Sequence, residues 1–145
     1  MLRWIALQSA GKKGERLYPG NLNPEISWDI DSAIEVSDSY LSKGWNVYMQ
    51  GAVSDDKAKE IVSTTWNELL TKIEKLLKKN PNPNFLIGNS LTTADCAYGA
   101  YLLKWTCQDK FAHKNYYEAE VQKFPKVKYW RDNTIKKVFG EWFSK

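Results

Sequence analysis

The clearest pattern in the chain is a stripe at Ala58, Ile61, Val62, Thr65, Trp66, Leu69, Ile73, Leu76 and Leu77, where apolar positions recur at threes and fours. That spacing lines one face of a helix. Glu68 with Lys72, and Glu74 with Lys78, stand four apart in the order that favours pairing, which predicts that both pairs lie on the wet side. Lys79-Asn80-Pro81-Asn82-Pro83-Asn84 closes the segment, since proline cannot continue a helix. Upstream, Asn23-Pro24-Glu25 reads as a helix start, with a capping oxygen, a ring preset to helical φ and an acid at the positive end of the dipole. Ile26, Ile30, Ala33, Ile34, Ser37 and Leu41 then share an inward face, and Gly44 is expected to interrupt or kink the helix before Trp45, Val47, Tyr48 and Met49. Leu2, Ile5 and Ala6 predict a further helix over 1–12, ended by Gly11 and Gly14.

A second pattern governs Cys96 to Trp105, where no charge stands on any face until Lys104. Such a helix is predicted to run through the centre of the fold. Thr92-Thr93-Ala94-Asp95 precedes it at the spacing of a capping box, with Asp in place of the usual Glu or Gln. Leu91 and Cys96 occupy the two positions of a hydrophobic staple. A buried helix cannot turn its first amides to water, so a side-chain cap becomes close to obligatory, and Leu91, Thr92, Asp95 and Cys96 are assigned structural roles. Phe124-Pro125 opens a late helix, and the stretch to Phe143 is helical. No alternating strand pattern or internal repeat intervenes, so the expectation is one all-α domain over 1–145, a helical bundle around a buried central helix.

Composition narrows the classes. The chain of 145 residues suits one domain, and 43% hydrophobic with 26% charged residues suits a folded one. The net charge of +4 is uneven: Val121 to Lys145 carries Lys123, Lys126, Lys128, Arg131, Lys136, Lys137 and Lys145 against Asp132 and Glu141. A solvated helix face explains that run, and an anionic partner is the sharper alternative. No zinc spacing or recognised nucleic-acid motif accompanies it, so no metal site is expected and nucleic acid is not the favoured partner. Cys96 and Cys107 lie eleven residues apart on one predicted helix, about 16 Å from each other, too far to bond. A reducing compartment, the cytoplasm by default, follows, and no apolar run is long enough to span a membrane. His113 has no ligand or nucleophile pattern beside it and is read as a loop surface residue.

Phe85 to Asp95, a Gly-containing turn followed by Leu, Thr, two residues and Asp, resembles the signature of cytosolic glutathione transferases, where it caps the central helix of the C-terminal domain. Leu2-Arg3-Trp4-Ile5-Ala6 resembles the helix that closes that family's thioredoxin-like half, Leu17-Tyr18-Pro19 its exit, and Phe124-Pro125 with Val127 and Trp130 its late helix. The resemblance covers nearly the whole chain and implies the all-helical C-terminal half, with residues 1–12 matching the last helix of the other half. The thiol-activating residue and the γ-glutamyl-binding turn belong to the thioredoxin-like half, and the chain begins one or two residues after that turn.

For single residues the resemblance implies several roles. Tyr40, Trp45 and Tyr48 are placed along the wall for an apolar co-substrate, although aromatics at such spacing also read as core or interface. Asp38 matches an acid that crosses a dimer interface toward the glutathione amine, with a solvated acid as the plain reading. No catalytic residue is assigned, and glutathione is expected only when the missing half is supplied. The favoured function is a non-catalytic interaction or scaffold subunit of a larger assembly, docking through the first helix and the aromatic run near Trp45, as a homodimer or within a large complex. The alternative is a fragment or split half of an active glutathione transferase that conjugates glutathione to electrophiles.

Overall fold

In the computed structural model the described residues are 17–18, 24–49, 54–109 and 111–143, and of the side chains of 41–49 and 143 nothing is described. The predicted helix over 1–12 and the Trp45 and Tyr48 side chains lie outside that description. Helix α1 spans Pro24–Met49 without a break, so the expected interruption at Gly44 does not occur. One glycine in a long helix costs about 1 kcal/mol, which the flanking turns can absorb.

Helix α2, Asp55–Ile61, starts at Ser54, whose hydroxyl accepts the Lys57 amide at 3.3 Å, and Asp55 and Asp56 fill its first turn. A wide π turn, Val62–Trp66, joins it to α3, Asn67–Lys79. The cause is local: the Ser63 and Thr64 hydroxyls both donate to the Glu60 carbonyl, at 3.0 and 2.7 Å, and so compete with the backbone ladder. Asn80 builds the following turn, its amide donating to the Phe85 and Gly88 carbonyls at 2.8 Å each. Gly88 sits at φ 69, a left-handed conformation that a Cβ would strain.

The central helix α4, Thr93–Cys107, buries Ala94, Tyr98, Leu102, Leu103 and Trp105. Helix α1 lies along it and contributes Ile30, Ala33 and Tyr40 to the same core. Helix α5, Lys114–Val121, is an element the hydrophobic pattern did not single out, and it packs through Tyr117 and Val121, one turn apart. Helix α6, Pro125–Trp130, continues through a second π turn, Arg131–Ile135, into α7, Lys136–Phe143. Here the Asn133 side chain donates to the Tyr129 carbonyl at 3.0 Å, and Thr134 donates to the Asn84 carbonyl at 2.8 Å. The π turn lays Ile135 over Gly99 so closely that a Cβ there would meet Ile135 at 2.6 Å. No strand occurs among the described residues, and no described helix is long and apolar enough to cross a membrane.

Candidate functional site

The densest polar chemistry in the interior centres on Asp95, which is fully buried at the third position of α4. Thr92 and Asp95 form a reciprocal capping box. One carboxylate oxygen accepts the Thr92 amide and hydroxyl, each at 2.9 Å. The other accepts the Leu86 amide at 2.8 Å and the Trp130 indole N–H at 3.0 Å. Asp95 thus ties three segments, the turn before α4, α4 itself and α6, into one unit. Burial pushes its pKa above the ordinary carboxyl range, against the downward pull of these hydrogen bonds. The flanking staple positions, Leu91 and Cys96, are half-buried. Burial, with the Asp95 charge adding to it, pushes the Cys96 thiol up to about 11, so it is a poor nucleophile.

Glu74 corrects the sequence reading of α3. It pairs with Lys78 at 3.4 Å, yet it is buried rather than wet. Its carboxylate accepts the Val127 amide at 3.2 Å, so it caps the start of α6, where Phe124 has no side-chain oxygen to offer. Arg131, also buried, holds Glu118 with two nitrogens and Asp132 through Nε at 2.9 Å. Burial alone would raise the Asp132 carboxyl, but hydrogen bonds from Arg131 and Lys136 keep it below the usual range.

Of the three residues assigned to a ligand wall, only Tyr40 has a described side chain. Tyr40 is 8% exposed and packed in the core, with its hydroxyl 3.5 Å from Glu68 and its carbonyl accepting the Tyr101 hydroxyl at 3.5 Å. Asp38 is exposed on the outer side of α1. A surface hollow of about 120 Å³ lies elsewhere, lined by Asp29, Leu76, Lys79, Asn80 and Ile87 among others. Ligand sites for ordinary organic molecules occupy roughly 300–1,000 Å³, so this hollow is small for such a role.

His113 is likewise not the surface residue expected of it. Its side chain is 16% exposed, stacks on Tyr116 and faces Asp55 with Nδ1 at 3.3 Å. Tyr116 donates to the same carboxylate at 3.1 Å, so α5 is fastened to the start of α2. Behind it, Trp66, Tyr101, Trp105, Phe111 and Tyr117 form a continuous cluster of rings. Two other tryptophans stand apart: Trp28 on α1 is 74% exposed and Trp142 on α7 is 83% exposed. Sequence reasoning gave neither a role, although Trp28 falls off the inward stripe of α1 and could have been recognised from that.

Among the described residues no group of His, Cys, Asp and Glu is arranged to hold a metal. The family model described as the glutathione S-transferase C-terminal domain matches residues 41–138. No curated protein and no solved structure matches the chain. The matched span covers more than half the sequence and contains the capped central helix and the late helix that packs on it, so the chain belongs to the glutathione S-transferase C-terminal domain family.

Proposed function

We propose that this chain is a non-catalytic docking module, a glutathione-transferase-like helical domain that serves as an interaction or scaffold subunit of a larger assembly. The observation that carries the reading is where the aromatic side chains are spent. Tyr40 is consumed inside the core, whereas Trp28 and Trp142 are largely exposed. A tryptophan exposed to that degree is a common anchor at protein interfaces, because it covers much apolar area with few rotors to freeze. Glutathione enters this account only through a thioredoxin-like half on another polypeptide or elsewhere in a longer chain.

Size-exclusion chromatography of native extract, followed through an affinity tag on this chain, tests the proposal. Elution in a large complex with defined protein partners is the expected result. Retention on glutathione-agarose together with turnover of a chlorinated aromatic substrate by the purified chain would overturn it in favour of an active transferase.

A further inference from the structure

The outer surface of α1 is unusual in charge. Between residues 24 and 40 stand Glu25, Asp29, Asp31, Glu35 and Asp38, with no lysine or arginine among them. Asp29 meets Lys79 at 3.5 Å and Asp31 accepts the Tyr18 hydroxyl at 2.8 Å. Glu35 and Asp38 are exposed and make no ion pair among the described residues. Glu25 with Asp29, and Asp31 with Glu35, are like charges four apart, each pair costing the isolated helix about 0.2–0.5 kcal/mol. Trp28 and the partly exposed Val36 supply apolar area on this acidic helix.

The late helices carry the complementary arrangement. Lys123, Lys128, Lys136 and Lys137 are exposed along α6, α7 and the turn before them, interleaved with Tyr129, Val138 and Trp142. Lys123 and Lys136 are partly neutralised by Glu120 and Asp132, while Lys128 and Lys137 make no ion pair among the described residues. One molecule therefore presents an acidic face with an exposed tryptophan on α1 and exposed lysines along α6–α7, where Trp142, five residues beyond Lys137, stands on a different side of the helix.

We propose that the occupant of the α1 face is a second copy of this chain, docking head to tail through its α6–α7 face. This deepens the docking function proposed above, on which it rests, by naming the partner. Charge complementarity selects the arrangement. A two-fold contact of α1 against α1 would set two acidic faces together, which is repulsive, whereas acidic against basic is attractive at every step. Because the two faces differ, each added copy leaves one of each kind free, and the association continues rather than stopping at a dimer.

Sedimentation velocity on the purified full chain, over a wide concentration series at low and high salt, tests this. The expected result is a sedimentation coefficient that climbs with concentration at low salt and falls back at high salt. Glu35→Lys with Asp38→Lys in one variant, and Lys128→Glu with Lys137→Glu in another, should each weaken association by about tenfold or more. An equimolar mixture of the two should restore it, since each reversed face then meets a reversed partner. Circular dichroism and thermal melting establish that both variants fold. A chain that stays monomeric throughout, a closed dimer indifferent to salt, or variants that associate unchanged would overturn the inference. So would binding of polylysine to the α1 face without self-association, which assigns that face to a foreign basic partner. A purified monomer alongside a large complex in native extract would defeat this inference and leave the docking function standing.

Discussion

Asp95→Asn preserves the shape of the carboxyl at the heart of the fold and changes what one of its atoms can do. The oxygen that accepts Leu86 N–H and Trp130 N–H becomes an amide oxygen and keeps both partners. The atom facing Thr92 becomes an amide nitrogen. As a protonated acid, Asp95 keeps a lone pair on that oxygen that still accepts the Thr92 amide, without a buried charge. An amide nitrogen has no such lone pair, and the Thr92 amide would face another donor. One buried orphan of this kind costs about 1–3 kcal/mol. Because burial raises the Asp95 pKa on folding, its contribution is complete below the ordinary aspartate range and is lost as pH rises through the folded value. The variant has no such titration. The stability gap should therefore be widest below the ordinary aspartate range and narrow as pH rises through the folded value. Urea titrations followed by tryptophan emission would measure it: with a slope of about 1–3 kcal/mol per molar, the midpoint in acid should drop by about 1 M. A gap that widens as pH rises would refute the reasoning, because the ionised carboxylate's hydrogen bonds would then outweigh its desolvation. No gap in acid would show that the Thr92 amide does not depend on that atom.

Further outcomes follow from the packing. Gly99→Ala should cost about 1–3 kcal/mol by forcing Ile135 aside, and adding Ile135→Val should recover part of the loss in the same urea assay, a coupling that separated sites would lack. Glu74→Ala should cost about 1–3 kcal/mol by orphaning the Val127 amide, with faster hydrogen exchange at that amide, whereas Glu74→Gln keeps an acceptor and most of the stability. The depressed Asp132 carboxyl adds stability above the ordinary aspartate range that is lost as pH falls through its folded value. Thermal melts in increasing acid should accordingly fall less steeply for Asp132→Asn than for the natural chain.

Legibility in the sequence tracked distance along the chain. The uncharged run of α4 announced burial, and Thr92 with Asp95 announced a cap, because both signals lie within a few residues. The rest of the Asp95 network did not: Trp130 stands 35 residues away, and no local spacing points to it. Glu74 misled for the same reason, since four-apart pairing with Lys78 describes an exposed face while an amide 53 residues distant decides that the side chain is buried. Gly44 signalled a break by its intrinsic propensity, yet the helix runs through it. The π turns left a fainter trace. Ser63, Thr64 and Asn133 are the polar side chains that capture helix carbonyls, but such residues in a helix are more often simply exposed.

Those two π turns also bear on how the chain tolerates changes in length. Each is a place where a helix accommodates one residue more than its regular ladder requires, while the segments on either side keep their inward faces. Removing an exposed residue such as Thr64 would let α2 and α3 close into one regular helix with Ala58 and Leu69 still directed at the core. A deletion in the middle of α4 would turn everything beyond it by about 100°. The wide turns are thus the points in this helical domain where the reading frame of the apolar stripe has slack.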